Sequence, residues 1–175
     1  MLVGKKVKLR ALELADLDHC LKWLNDWNVV RNLTALWYPI GRETQRAWLE
    51  ARLRGDDPTE KVFVIETLSS QYLGNCGLET IDLRDRKARV GIVIGFSESW
   101  DKGYGRETLQ LLARYAFDFL NLRKLYLDTY AFNERARKCY QEVGFVQEGV
   151  FRKEFFRDGD YHDILRFGLF KEELK

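Results

Sequence analysis

The chain has 175 residues, of which 46% are apolar and 32% are charged, and it contains only 2 prolines. This composition excludes a disordered or low-complexity protein, and the length suits a single domain that spans residues 1–175. The formal net charge is +2, which is too small to indicate a dedicated nucleic-acid-binding protein.

Cysteine and histidine usage argues against a metal site. Cys20, Cys76 and Cys139 have no metal-type spacing, and the 2 histidines cannot build a histidine-based cluster. An odd number of thiols is typical of a protein in a reducing compartment. The charged N-terminus is not followed by an apolar run, and residues 90–96 are too few to cross a membrane. We therefore expect a cytoplasmic protein with neither a metal ion nor a membrane partner.

The first half of the chain predicts a strand, two helices and three further strands. Alternation predicts a strand over residues 6–12, and apolar residues at helical spacing predict helices over 15–24 and 43–53. The aromatic segment 27–41 has no clean period, so we interpret it as a loop or a broken helix. Polar turns separate the next three predicted strands, which are residues 62–67, 72–83 and 88–96.

The second half begins with a long helix. Apolar residues recur along one face from Leu109 to Leu120, which is the pattern of a helix packed on a core. A strand over 125–130, a short helix over 136–143 and two strands joined at Asp158-Gly159 follow. The order β-α-α-β-β-β-α-β-α-β-β indicates an α+β fold with a mixed sheet.

A glycine-rich turn before the long helix predicts an anion site. Residues 100–107 are Trp-Asp-Lys-Gly-Tyr-Gly-Arg-Glu. Helix N-termini expose unpaired amides and carry about half a positive charge, and glycines let the backbone approach a phosphate closely. The spacing fits neither a dinucleotide-binding fingerprint nor a P-loop, and an ordinary tight turn is the alternative.

Two glycines in the preceding strand add to this signal. Gly91 and Gly95 lie on one face of the strand, with Val93 between them. Glycine weakens a strand, and it often marks the close approach of a ligand or of another backbone. A bulge in the sheet is the alternative interpretation.

Three segments resemble the GNAT superfamily of N-acetyltransferases. They are the strand Gly-Ile-Val-Ile-Gly with its glycine loop (91–107), the stretch Asn-Glu-Arg-Ala-Arg-Lys-Cys-Tyr-Gln-Glu-Val-Gly-Phe (133–145) and the hairpin 157–163. The stretches Leu-Arg-Ala-Leu (9–12) and Trp-Leu-Asn-Asp (23–26) also fit, so the resemblance covers nearly the whole chain. It is closest to the branch with ribosomal-protein N-terminal and spermidine acetyltransferases. The family loop begins with Gln or Arg where this chain has Trp100. The resemblance implies a mostly antiparallel, splayed central sheet flanked by helices.

The resemblance also implies acetyl-CoA as cosubstrate. Amides across residues 101–106 would hold its diphosphate, and the exposed edge of residues 94–96 would pair with the pantetheine arm. Asn133 would contact the pantetheine amides or cap the helix, and Arg137 and Lys138 would meet the 3′-phosphate or form a solvated face. The implied cofactor-binding residues are Ile94, Gly95, Phe96, Trp100, Asp101, Lys102, Gly103, Tyr104, Gly105, Arg106, Asn133, Lys138 and Tyr140.

The family reaction is direct attack of an amine on the thioester. Tyr140, seven residues after Asn133, is implied as the proton donor to the departing thiolate, and a core tyrosine is the alternative. A phenol pKa near 10 lies above the ~8.5 of a thiol, so a hydrogen bond can suffice without full proton transfer. Glu79 and Glu98 are the candidate bases. Each is also readable as a surface or structural carboxylate, and ordered water can replace either.

The acceptor is left open by the sequence. We expect the aromatic segment 27–38 and the hairpin 151–161 to wall its pocket. A protein N-terminus, a polyamine, an aminoglycoside and an amino-sugar nucleotide all fit an N-acetyltransferase. A non-catalytic CoA-binding or regulatory module is the alternative function. RNA or ribosome association gains no support from the charge, and homodimerisation is a further expectation.

Overall fold

The computed structural model describes residues 1–34 and 38–175. The described strands are β1 (Leu2–Val3), β2 (Val7–Ala11), β3 (Lys61–Thr67), β4 (Tyr72–Asp82), β5 (Lys87–Ile94), β6 (Lys124–Tyr130), β7 (Val146–Arg157) and β8 (Asp160–Phe170). The described helices are α1 (Leu17–Leu24), α2 (Trp27–Val30), α3 (Arg42–Arg54), α4 (Tyr104–Arg114) and α5 (Glu134–Val143).

The described strands form one sheet in the order β1-β2-β3-β4-β5-β6-β8-β7. Neighbouring strands are antiparallel except β5 and β6, which run parallel. The parallel pair follows from its connection, because a crossover through α4 brings the chain back in the same direction. The predicted mixed, mostly antiparallel sheet is therefore confirmed.

Helices cover the two faces of this sheet. On one face, buried residues of α4 and α5 such as Leu109, Leu112 and Val143 pack on the strands in the larger apolar cluster. On the other face, α1 and α3 contribute Cys20 and Leu49 to a second cluster. The sequence patterns that predicted these helices are thus the patterns of their buried faces.

Three details differ from the expected elements. Strand β1 is only two residues long, too short for an alternation signal. The short helix α2 occupies the start of the aromatic segment, and residues 35–37 of that segment lie outside the described residues. The long helix continues beyond Arg114 as a wider π turn over Tyr115–Phe119, in which Leu120 N–H donates to the Tyr115 carbonyl at 3.3 Å.

The C-terminal hairpin turns at the predicted position. Strands β7 and β8 meet at Asp158 and Gly159, whose φ angles are 54° and 85°. Two consecutive left-handed residues match the tight turn that Asp-Gly favours. Among the described residues, no helix combines the length and the apolar character needed to span a bilayer.

Candidate active site

The parallel strands β5 and β6 pair at their first residues and then separate. Their register is Lys87 with Lys124, Ala88 with Leu125 and Arg89 with Tyr126, whereas β5 runs on to Ile94. The expected splay of the sheet is therefore present. Backbone groups on the facing edges of these strands need partners, because buried N–H and C=O groups are almost always hydrogen-bonded.

The last residue of β5 presents its backbone to this gap. Gly95 N–H donates to the Leu73 carbonyl of β4 at 2.8 Å, so the groups of Ile94 face the opposite edge. The Trp100 indole N–H donates to the Ile94 carbonyl at 2.8 Å, and Arg135 of α5 stacks 3.5 Å from the Trp100 ring centroid. Within the predicted edge, residues 94–96, the backbone groups of Ile94 thus face the gap, whereas the Gly95 amide is bound to β4.

The glycine loop leads into α4 through left-handed backbone. Asp101 and Gly103 have φ angles of 59° and 81°, and the first intrahelical bond joins Glu107 N–H to the Gly103 carbonyl at 3.1 Å. The preceding amides, of Tyr104, Gly105 and Arg106, are helix N-terminal donors without an intrahelical acceptor. Three donors and the helix dipole at one point suit a diphosphate.

Charged side chains near the loop have partners of several kinds. Arg106 lies 3.6 Å from Glu142 of α5 in an ion pair, and Lys6 Nζ donates to the Lys102 carbonyl at 2.9 Å. Lys138 is exposed. Arg137 is partly buried and donates to the Ala131 carbonyl at 3.1 Å, so its guanidinium supports the turn before α5 and is not a member of a solvated face.

Asn133 and Cys139 have structural roles. The Asn133 side-chain oxygen accepts from Ala136 N–H at 3.2 Å and caps α5, which leaves its amide nitrogen for the predicted contact with pantetheine. The Cys139 thiol faces Gly105, where an added Cβ would stand 3.7 Å from Sγ. Burial raises the pKa of Cys139 to about 11, as expected for a packing thiol and not for a nucleophile.

Tyr140 is buried on the α5 face that packs against the sheet. Its ring lies 5.8 Å from that of Phe167 and 6.0 Å from that of Phe145. Burial raises the pKa of Tyr140, and the charges of Arg89 and Asp128 act on the phenol from the strands beside the gap. The phenol is therefore protonated at neutral pH and able to donate a hydrogen bond.

A row of alternating charges crosses strands β4, β5, β6 and β8, and two of its members, Arg89 and Asp128, act electrostatically on Tyr140. Arg89 Nη1 donates to Glu79 Oε2 at 2.7 Å, and its Nε lies 3.7 Å from Asp128. Arg166 binds both carboxylate oxygens of Asp128, at 2.9 and 3.0 Å. The second oxygen of Glu79 faces Gly91 of β5. Glu79 therefore lies at the start of the gap and is linked through Arg89 to the surroundings of Tyr140.

Glu98 is placed elsewhere. It belongs to the 3-10 turn Ser97–Ser99 and lines a cleft of about 460 Å³ together with His19, Tyr72 and Phe96. The Phe96 ring packs edge-on against Tyr72 at 6.3 Å. The residues that line this cleft include neither Tyr140 nor Arg89. Glu79 is thus bound to Arg89, whose charge acts on Tyr140, whereas Glu98 lines a different cleft.

The glycines of β5 make room for side chains. At Gly95 an added Cβ would stand 2.5 Å from the Trp23 ring, and at Gly91 it would stand 2.9 Å from Glu79 Oε1. The register shift in the β4–β5 pairing falls between Glu79 and Asp82, away from both glycines. The groups that approach these glycines are thus the Trp23 indole at Gly95 and the Glu79 carboxylate at Gly91. Neither glycine lies at a bulge of the β4–β5 pairing.

The predicted acceptor walls touch each other. Arg157 of β7 donates to the Leu33 carbonyl at 2.9 Å and lies 5.8 Å from the Trp27 ring. Beside them, Tyr130 at the end of β6 stacks on Phe132 at 4.7 Å and meets Phe155 edge-on at 6.1 Å. The described part of segment 27–38 and the hairpin therefore enclose an aromatic corner at the open end of the gap.

Sequence reasoning missed several residues of this site. Arg89, Asp128 and Arg166 come from strands whose adjacency depends on the order β5-β6-β8, which a single sequence does not reveal. Alternation along β5 could have placed Arg89 on the face that carries Gly91, and this was the available signal. Glu107 is bound by backbone amides of the turn between β1 and β2, and this contact also had no local signal, because the bonded residues are 102 and 101 positions apart in the chain.

Residues 6–146 match the family model described as an acetyltransferase (GNAT) domain. The chain is 31% identical to the spermidine N(1)-acetyltransferase of Vibrio cholerae over 98% of this chain and 96% of that one. It is 33% identical to the spermidine N(1)-acetyltransferase of Escherichia coli K12 over 95% and 87% of the two chains.

Solved structures agree with the sequence matches. The crystal structure of spermidine N-acetyltransferase from Vibrio cholerae in complex with CoA and spermine has a TM-score of 0.89 at 29% identity, and covers 97% of this chain and 98% of that one. A dodecameric structure of the enzyme from the same organism has a TM-score of 0.81 at 30% identity, with 97% and 96% covered.

The chain therefore belongs to the GNAT acetyltransferase family. It is an N-acetyltransferase that transfers the acetyl group of acetyl-CoA to a primary amine.

Proposed function

We propose that the chain, acting as one unit over residues 1–175 in the cytoplasm, acetylates a primary amine of a polyamine such as spermidine. The amine acts by direct attack in a ternary complex. The relatives named for spermidine N-acetylation match nearly the whole chain. Within this chain, the exposed rings of Trp27 and Phe132 beside the aromatic corner carry the proposal, because aromatic faces attract the ammonium groups of a polyamine.

The donor side suits acetyl-CoA. The amides of Tyr104–Arg106 are directed to the N-terminal end of α4, where they would bind the diphosphate. The edge of β5 at Ile94 would pair with the pantetheine arm, which would direct the thioester into the gap beside Tyr140. Acetyl-CoA, when bound, supplies an acyl group on a thiolate leaving group.

Tyr140 acts on the leaving thiolate in this proposal, and Glu79 acts on the attacking amine. The buried Tyr140 phenol donates a hydrogen bond to the sulfur as the thiolate leaves. A polyamine nitrogen with an ordinary pKa near 10.4 costs about 4.6 kcal/mol to deprotonate at pH 7. Glu79 offers its oxygen beside Gly91 as acceptor for that proton, directly or through one water, while Arg89 holds its other oxygen.

A thiol-release assay with acetyl-CoA and an amine panel tests the acceptor. We expect spermidine and spermine to be turned over with a higher kcat/KM than a ribosomal-type N-terminal peptide, an aminoglycoside and an amino-sugar nucleotide. A higher kcat/KM for the peptide would contradict a polyamine acceptor and indicate that protein N-termini are acetylated. No turnover of any amine, with CoA binding intact, would support a non-catalytic CoA-binding module instead.

We also propose self-association, with a homodimer as its smallest form. The edge strand β7 exposes Val146, Val150 and Phe156 at 52%, 48% and 61%, and an unpaired strand edge favours pairing with another chain. A mass measurement in solution tests this, and a monomer at all working concentrations would contradict it.

A further inference from the structure

The turn between β1 and β2 surrounds the carboxylate of Glu107. Lys5 N–H donates to Oε1 at 2.8 Å, while Lys6 and Val7 N–H donate to Oε2 at 2.7 and 2.8 Å. Burial alone would raise the pKa of Glu107, but these backbone bonds outweigh it and hold the pKa below its ordinary value. The carboxylate is therefore charged and fixed in the turn at neutral pH.

Gly4 leaves the space that this carboxylate needs. An added Cβ on Gly4 would stand 2.7 Å from Glu107 Cδ and 2.8 and 3.0 Å from its two oxygens. Gly4 does not have a left-handed φ, so the backbone of the turn does not itself require glycine. Glycine is therefore needed at position 4 because any larger side chain would overlap the Glu107 carboxylate.

The same turn holds both ends of the segment that faces the diphosphate. Glu107 N–H makes the first bond of α4, to the Gly103 carbonyl, and its carboxylate is bound by the turn. Ahead of Gly103, the Lys102 carbonyl accepts from Lys6 Nζ at 2.9 Å. The three free amides of Tyr104–Arg106 lie between these two anchors.

We propose that Glu107 is a positioning residue for the diphosphate of acetyl-CoA. It acts through the backbone, because it fixes the first turn of α4 against the N-terminal turn and so keeps the donor amides directed at one point. Its binding to the turn also keeps a negative charge away from the anion site, where a free carboxylate would repel the diphosphate. This inference rests on the use of acetyl-CoA as cosubstrate, and it holds whichever amine is the acceptor.

Two variants disturb this contact from opposite sides. Glu107→Gln removes the charge and keeps one acceptor oxygen, so its NH2 group faces at least one of the three backbone donors, the Lys5 N–H when the oxygen stays with Lys6 and Val7. Gly4→Ala leaves Glu107 in place but displaces its carboxylate, which is the flexible end of the side chain. Glu148→Gln is the matched control, because Glu148 also packs its carboxylate on a glycine, Gly168, and pairs with Lys124 at 2.6 Å, on strands remote from the loop.

The test compares CoA binding by calorimetry with kcat/KM for acetyl-CoA and for S-acetylpantetheine, which lacks the diphosphate. For Glu107→Gln and Gly4→Ala we expect the Kd of CoA and the KM of acetyl-CoA to rise about tenfold or more, the scale of one lost bond to a charged group. We expect kcat/KM for S-acetylpantetheine to be retained and Glu148→Gln to match the unmodified chain.

Three results would overturn the proposal. The first is an unchanged Kd for CoA in both variants. The second is an equal loss of kcat/KM with both donors, which would make Glu107 a general structural residue. The third is an equal loss of CoA affinity in Glu148→Gln. If Glu107→Gln does not fold, Gly4→Ala decides the question, since its native side chains are all present.

Discussion

At the scale of single residues, the chemistry depends on where one phenol and one carboxylate lie. Tyr140 is buried against Phe145 and Phe167, and burial raises its pKa. A raised pKa keeps the phenol protonated below about pH 10, the ordinary value. Loss of rate between pH 7 and pH 9 would therefore not come from ionisation of Tyr140.

Tyr140→Phe removes the phenol oxygen while the ring stays packed. We expect kcat to fall by about 10²-fold, the lower range for a positioned proton donor, with the Kd of CoA unchanged. Tyr115→Phe is the control, because it removes the same phenol oxygen from a residue of the π turn whose ring packs edge-on against Phe63 of β3. A Tyr140→Phe enzyme with full kcat would show that the donor has been assigned wrongly.

Substitution of Glu79 and of Glu98 should have different effects on the kinetics. Glu79→Gln leaves Arg89 within 3.7 Å of Asp128, so the guanidinium keeps a counter-charge and the fold is retained. We expect kcat/KM for the amine to fall by about 10²-fold with the KM of acetyl-CoA unchanged. Glu98→Gln should change neither constant, since Glu98 lines a different cleft. The reverse pattern in steady-state kinetics would exchange the two assignments.

At the scale of elements, local patterns predicted helices and strands well and their contacts poorly. The alternation of β5 and the apolar stripe of α4 were visible because each element buries one face. The reason for Gly95 was not visible, because its neighbour is Trp23 of α1, a contact formed only when the helix packs on the sheet. The sequence of the glycine loop predicts an anion site, whereas nothing in the sequence indicated that the turn between β1 and β2 anchors this loop.

Gly95→Ala tests this packing. The new Cβ would stand 2.5 Å from the Trp23 ring, so the end of β5 or α1 must shift. We expect the free energy of unfolding to fall by about 1–3 kcal/mol, the usual cost of overpacking. Gly149→Ala is the control, since nothing lies within 4 Å of a Cβ there. Equal stabilities of the two variants in denaturant titrations would contradict this reading of Gly95.

At the scale of the whole molecule, the sequence of elements was predictable and the strand order was not. The crossover through α4 makes β5 and β6 parallel neighbours, and their short pairing opens the gap. The placement of β8 between β6 and β7 then brings Arg166 to Asp128. The splay was expected only from the family resemblance, because no local pattern specifies where two paired strands separate.

Binding across this gap should stabilise the whole fold. A ligand at about 100 times its Kd adds roughly 2.7 kcal/mol to the free energy of unfolding. For a domain of this size we expect CoA to raise Tm by about 5–11 °C. S-acetylpantetheine, which lacks the diphosphate, should raise it less at equal concentration. A Tm that is the same with and without saturating CoA would contradict a site that joins β5, α4 and α5.

Amide chemical shifts on titration with acetyl-CoA test the donor site most directly. We expect large shifts at Ile94 and Gly103–Arg106, where the backbone would meet the pantetheine arm and the diphosphate, and small shifts in the edge strand β7. Unchanged shifts in those five residues, at a concentration that supports turnover, would contradict the assignment of the cosubstrate to this loop and strand edge.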